Sequence, residues 1–289
     1  MKKYLAILIS ILIITSCDVE EAPFITGSNT YVNPDKKVLI EDFTGHKCPN
    51  CPGAARELDA IKGVQDYGDQ IIGMAIHVGS FAEPNPIGSS FDYDFRTNSG
   101  DVLDNSFGNI SEALPRGMVN RVGYPDNHKL GKGEWATTVA NELKKEIDFK
   151  IHMSSDENSI YITSEVQKNL NSNYNLVVCL TESNIINWQK DNDNPLGDVE
   201  DYEHNHVLRT GLIDQALSGS TNYVSGQEIE NTINYDLVVL EQSNRDYSVS
   251  LGGNDIPGNW DVANMSIIAY IYNTNTKEIV QVEEAHLNN

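Results

Sequence analysis

Two cysteines three positions apart, in Cys48-Pro49-Asn50-Cys51, are the residues of this chain best placed to do chemistry. An apolar β-type run, Val38 to Ile40 and then Asp42 and Phe43, precedes them, and a helix-type stretch from Ala54 to Ile61 follows. A Cys-x-x-Cys pair that opens a helix after a strand points to thiol–disulfide exchange. The helix N-terminus carries partial positive charge that favours a thiolate on the first cysteine, and the spacing lets the second resolve a mixed disulfide. On this reading Cys48, at the helix entrance beside Lys47, is more exposed than Cys51 in the first turn. His46 and Arg116 are further candidates for electrostatic support of the thiolate, with solvated loop positions as the alternative.

The elements that must hold this pair can be read around it. A strand is expected over residues 37–43, and Pro49 and Pro52 fall in the first helical turn, where a missing N–H costs little. Leu58, Ile61 and Val64 recur at spacings of three and give the helix one buried stripe. Residues 70–78 are too apolar for an exposed strand and suit a covered parallel sheet. Residues 79–114, rich in Ser, Asn, Gly, Pro and Asp, read as an insertion holding a short helix or two. A third strand is expected over 117–122. A closing helix follows over 134–145, with Trp135, Val139, Ala140 and Leu143 on one face.

The first sixteen residues read as an address. Lys2 and Lys3 precede an apolar run from Tyr4 to Ile14, which is too short for the roughly twenty residues a membrane-spanning helix needs. Ile14-Thr15-Ser16-Cys17 resembles a bacterial lipobox, which implies cleavage before Cys17 and attachment of diacylglycerol to its thiol. Residues 17–35 then form a polar tether. The leader carries two lysines and no acid, so 18 basic residues remain against 42 acidic ones, a net charge of −24. A field of that sign repels nucleic acid and anionic headgroups, so no nucleic-acid partner is expected, and the membrane is reached only through the lipid on Cys17.

At Ile147 the period turns from helical to alternating, with Ile147, Phe149, Ile151 and Met153 inward. Further strands are expected over residues 160–166, 174–180, 235–240, 247–251, 265–272 and 279–282, the last two joined by Asn273-Thr274-Asn275-Thr276-Lys277. Periodicity leaves residues 207–217 open between helix and strand. Seven or so strands over about 140 residues point to a β-sandwich over residues 147–289. Cys179, inside an apolar strand, reads as a buried and inert thiol.

The first domain, residues 36–146, resembles the thioredoxin superfamily in its strand–CxxC–helix order and in Ala113-Leu114-Pro115-Arg116-Gly117 ahead of a strand. The resemblance implies that Asp42 is a buried acid that takes the Cys51 proton, and that Pro115 is a cis-proline against the dithiol. A solvated strand-end residue is the competing reading of Asp42. The chain departs from the pattern at Lys47 and at the Pro49-Asn50 dipeptide. The whole chain resembles the twenty-eight-kilodalton outer-membrane lipoprotein family, through residues 44–52, 114–121, 202–209 and the 267–282 hairpin. That family joins a thioredoxin-like α/β domain to an all-β immunoglobulin-like sandwich, and the resemblance implies a lipid-anchored place in the outer membrane, on its periplasmic or surface face.

Glu203, His204 and His206, near an acidic run, raise the question of a metal, but no third imidazole is evident and no calcium-loop spacing occurs. No metal and no cofactor is expected. Two functions stand side by side. One is a thiol–disulfide oxidoreductase with Cys48 as attacking thiolate, Cys51 as resolver, Asp42 as proton shuttle and Pro115 as substrate-side wall, acting on protein thiols or disulfides. The other is a non-enzymatic surface module that binds an unknown ligand and keeps its CxxC as a structural disulfide.

Overall fold

The computed structural model describes residues 32–256 and 259–287. The leader, Cys17 and most of the expected tether lie outside the described residues. The first half runs β1 (Val38–Thr44), α1 (Pro52–Lys62), β2 (Ile71–His77), α2 (Asn98–Phe107), β3 (Arg116–Val119) and α3 (Lys132–Glu142). The second half opens with β4 (Phe149–Ser155), β5 (Ser159–Val166), β6 (Leu170–Asn171), β7 (Tyr174–Glu182), β8 (Ile185–Lys190) and β9 (Asp198–His204). It closes with β10 (Val207–Ala216), β11 (Asn222–Tyr223), β12 (Glu228–Asn234), α4 (Leu237–Ser250), β13 (Met265–Asn273) and β14 (Ile279–His286).

Every residue of β1 is buried, which explains its apolar character. It lies parallel to β2, with Val38 abreast of Ile71 and Thr44 abreast of His77. It lies antiparallel to β3, with Asp42 abreast of Gly117. Gly117 is required there, because a Cβ would sit 2.5 Å from the Trp135 ring and 2.9 Å from the Glu41 carbonyl oxygen. Beyond β3 a further strand is reduced to a single bridge between Gly117 and Leu130. Helices α1 and α3 cover one face of these strands through Leu58, Ile61, Trp135 and Val139. The other face is covered by α2 through Phe107.

The sheet does not stop at the expected boundary between residues 146 and 147. Its order is β14-β13-β7-β10-β2-β1-β3, seven strands drawn from both halves and joined where Val207 pairs with Ala75. The strands of the second half alternate as a two-sided sheet must. Leu176, Val178 and Leu180 of β7 face one core, while Val177 and Cys179 face the other. The three-stranded sheet β12-β5-β4 packs on the first of these cores through Phe149, Ile151, Ile160 and Ile162. What the residues build is therefore a mixed α/β sheet with helices, followed by a β half of several small sheets against the large one.

Two expected strands are corrected. Residues 235–240 and 247–251 lie in or beside the single helix α4. Their β-branched valines favour strand, but Asp236 caps the helix by accepting from the Val238 and Val239 amides, at 3.0 and 3.2 Å. Leu237 and Leu240, three apart, turn toward the core, while Val238 and Val239 are exposed. The polar residues 241–246 continue the helix where a turn between strands was expected. The undecided segment at 207–217 is strand β10.

Candidate functional site

Cys51 is the N-cap of α1, with proline in the first turn, and its carbonyl oxygen accepts the Ala54 and Ala55 amides at 2.8 and 3.2 Å. Cys48 lies one tight turn earlier, its amide donating to Gly45. A disulfide joins the two, with Cα atoms 5.4 Å apart. Gly45 allows this turn to sit under the 81–82 backbone, since a Cβ there would fall 2.6 Å from the Phe81 carbonyl carbon.

The expected difference in exposure is not found. Cys48 is 1% exposed and Cys51 2%. Part of the cover comes from the 81–91 segment, where Phe81 O accepts the Lys47 amide and Phe91 stacks on His46, and part from the second half of the chain. The Lys190 amide donates to His46 O and the Asn192 amide to Pro49 O, each at 2.8 Å. The Gln189 side-chain amide donates to Cys48 O at 3.1 Å. The Asn192 side chain donates to Asn50 Oδ1 at 2.9 Å. Arg56 of α1 pairs with Asp191, at 2.8 Å, and with Asp193. Sequence reasoning missed this segment, which is polar and carries no motif.

Beneath the dithiol lies a cavity of about 60 Å³, lined by Asp42, Cys51, His77, His204 and His206 among others. It has room for a few water molecules, each needing roughly 10–15 Å³. Asp42 is 3% exposed and its Oδ1 has no protein partner, which rules out the solvated strand-end reading. Burial raises its pKa to about 7. Both ring nitrogens of His77 are likewise buried without a protein partner, and burial holds its pKa well below the usual value. Burial lowers His204 and His206 to about 4. His204 accordingly sits inside the site and not in a polar surface loop. Among the described residues, no three His, Cys, Asp or Glu side chains converge in a way that could hold a metal ion.

The remaining candidates are placed as follows. The Leu114–Pro115 peptide is cis, and the β1–β3 register puts Pro115 at the end of the sheet from which the CxxC turn leaves β1. His46 is fully buried and burial lowers its pKa to about 3, so it brings no positive charge to Cys48. Lys47 Nζ reaches Asn85 Oδ1 at 3.5 Å, and Arg116 lies 3.9 Å from Glu112. Cys179 is 3% exposed and unpaired by disulfide, and burial pushes its thiol up to about 12.

Comparison with known proteins follows this geometry. Residues 101–289 match the family model described as outer membrane protein Omp28, so the match begins after the dithiol. No curated protein matches the chain. Among solved structures, HBP35 of Porphyromonas gingivalis is similar with a TM-score of 0.59 at 15% identity, over 88% of this chain and 76% of that one. Protein AGR_C_4864 from Agrobacterium tumefaciens is similar with a TM-score of 0.50 at 12% identity, over 88% of this chain and 95% of that one. These likenesses bear on the fold alone. A domain of the outer membrane lipoprotein Omp28 from Porphyromonas gingivalis aligns over 50% of this chain and 91% of its own, at 16% identity, with a TM-score of 0.25 on which no structural argument rests. With the family model covering well over half of its length, the chain belongs to the Omp28 family and is a protein of the outer membrane.

Proposed function

We propose that this outer-membrane protein is anchored by a lipid on Cys17 and exchanges disulfides with other envelope proteins through Cys48 and Cys51. The carrying observation is that Cys51 and Asp42 line one cavity where α1 begins. In the reduced protein the Cys48 thiolate attacks a partner disulfide, forming a Cys48–partner bond and releasing one partner thiolate. Cys51 then passes its proton to Asp42 and attacks the Cys48 sulfur. The Cys48–Cys51 bond forms, the second partner thiolate leaves, and two electrons have passed to the partner. The reverse sequence oxidises a partner dithiol. Pro115 forms the substrate-side wall. An acid whose pKa lies near 7 suits this proton transfer in both directions.

The deciding measurement is the reduction potential of Cys48–Cys51 in the purified mature protein. A value between about −270 and −120 mV supports exchange, and one below about −300 mV marks a structural disulfide. A second reading is favoured by the burial of both cysteines: a surface module in which the disulfide staples the CxxC turn and the β half binds a ligand. In that reading residues 147–289 serve as an immunoglobulin-like sandwich, which the packing of β12-β5-β4 on the large sheet supports.

A further inference from the structure

Strands β7 and β10 are paired up to Glu182 and Val207, and the same two stretches of chain continue as the paired strands β8 and β9. The ribbon does not run on straight. Asn184 (φ 59°) and His206 (φ 57°), one on each side, take left-handed backbone, a conformation for which Asn and His are among the more tolerant residues. Beyond this pair of turns, β8 and β9 form a separate two-stranded sheet. The hairpin thereby leaves the large sheet and lies across the CxxC turn.

A two-stranded ribbon is marginal alone, so its docking contacts decide where it rests. Beneath the ribbon the His204 ring lies 4.6 Å from Phe95 and 5.6 Å from His77, and Trp188 lies 5.6 Å from Phe91. The polar contacts fall into two kinds. Over the dithiol are the Lys190, Asn192 and Gln189 donors to the carbonyl oxygens of His46, Pro49 and Cys48. At the rim is Arg56, with side-chain exposure of 47%, holding Asp191 at 7% and Asp193 at 75%. The rim contact is partly solvated and so exchanges readily with water. Two of the inner contacts, from the Lys190 and Asn192 amides, are main-chain bonds that an extended segment of another polypeptide can supply in their place, in the manner of strand addition.

We infer that the β8–β9 hairpin is a lid hinged at Asn184 and His206, which closes the Cys48–Cys51 pair to outside thiols and swings away to admit a partner segment. The inference rests on the exchange reading for its purpose. Attack on a disulfide needs access to one of its sulfurs, and with both cysteines almost fully buried the closed lid denies it. Opening uncovers the disulfide together with three carbonyl acceptors and the Arg56 guanidinium, a surface suited to an extended segment with an acidic side chain.

The test is the rate at which dithiothreitol reduces Cys48–Cys51 in the oxidised full mature chain under native conditions. A lid predicts a rate that saturates with dithiothreitol concentration, because opening becomes limiting. Arg56→Ala should raise the plateau about tenfold, and Asp193→Ala, at an exposed position, should raise it by a smaller factor without risk to folding. A rate linear in dithiothreitol, with the same slope in all three proteins, overturns the lid. The equilibrium potential read on the same samples separates the two claims. A saturating rate with a potential in the structural range keeps the lid and sinks the exchange reading, whereas a linear rate with a potential in the catalytic range does the reverse.

Discussion

Gln189 and Cys48 stand 141 positions apart in the chain, yet the Gln189 side-chain amide donates to the Cys48 carbonyl oxygen at 3.1 Å. The same nitrogen lies 3.5 Å from Gly45 O and 2.8 Å from Lys190 O. One buried amide from the second half thus ties both ends of the Gly45–Cys48 turn, which leads into the CxxC motif, to the hairpin above it. Replacing it by alanine strips buried carbonyls of their donor, at a cost of about 1–3 kcal/mol. Gln189→Ala should lower the melting temperature by several degrees in calorimetry, and an unchanged value would show that water substitutes freely at this position.

Arg121 and Glu41 form another deeply buried polar contact, at 2.6 and 2.8 Å, with Arg121 3% exposed and Glu41 fully covered. Arg121 also donates to Tyr270 of β13 at 2.7 Å and stacks over Phe107. Arg121→Met would leave the Glu41 carboxylate buried without its partner, a loss of about 3–5 kcal/mol. The double variant Glu41→Leu with Arg121→Met should recover much of that loss, because two apolar groups then replace the pair. Denaturant midpoints for the four proteins of this cycle check the expectation.

The strand–CxxC–helix order and the closing helix were legible because each is a local pattern with one dominant period. Cys51 and the buried Cys179 could be placed from their own neighbourhoods, whereas the burial of Asp42 was implied only by the resemblance to the thioredoxin superfamily. The hairpin lid was not legible, because Gln189 of β8 and Asp191 and Asn192 just after it are ordinary polar residues until the chain brings them over the dithiol. Nor was the role of Arg121, whose partner Glu41 lies 80 positions earlier in the chain. Helix α4 was misread for a different reason. Its valines are β-branched, and the Asp236 cap together with the packing of the half-buried Leu237 and Leu240 against the core outweighs their strand preference. The shared sheet is beyond local reading altogether, since the join of Val207 to Ala75 crosses 132 positions.

The proposed lipid anchor on Cys17 rests on Ile14-Thr15-Ser16-Cys17 behind a short apolar run. None of the helices among the described residues is long and apolar enough to cross a membrane. If the acyl chain is the main anchor, Cys17→Ser should abolish incorporation of labelled fatty acid and shift the protein from the membrane to the soluble fraction. Membrane retention of the unlabelled variant would refute the acyl chain as the main anchor.

Acid should loosen the site before it unfolds the rest. Burial holds His46 at about 3, His204 and His206 at about 4, and His77 well below the ordinary 6.5. Each is depressed in the folded protein, so the stability gained by keeping it neutral is complete above pH 6.5 and lost as pH falls toward 4. Asp42 works in the opposite sense over the same range, as one group against four. Lys62 Nζ, 3.1 Å from His206 Nε2, makes protonation of that ring harder still. The denaturant midpoint is expected to fall between pH 6.5 and 4, and Trp188, its ring tilted against Phe91 at 5.6 Å, should report it by fluorescence. His77→Phe should flatten the slope, and a midpoint level across this range would count against the buried neutral histidines.

Asp42→Asn separates the proton shuttle from a purely structural acid, because the two roles leave different marks. Burial raises the folded pKa of Asp42 to about 7 from the ordinary 3.8. The protonated form is thus the one the fold prefers, and its contribution is complete below pH 3.8 and lost as pH rises through 7. Asparagine is never ionised, so the variant should match the wild type near pH 4 and exceed it above pH 7 by a few kcal/mol. That gain follows from burial alone and appears under either reading of the dithiol. The kinetic effect does not. If Asp42 takes the Cys51 proton, its loss removes a general base whose contribution is about 10²–10⁴-fold. The mixed disulfide at Cys48 should then form at nearly the wild-type rate but resolve at least about a hundredfold more slowly at pH 7. The two steps can be timed separately by acid-quenching the reaction with a disulfide peptide and counting trapped and resolved species by mass. A stability gain with unchanged resolution would reduce Asp42 to a buried acid with no part in exchange.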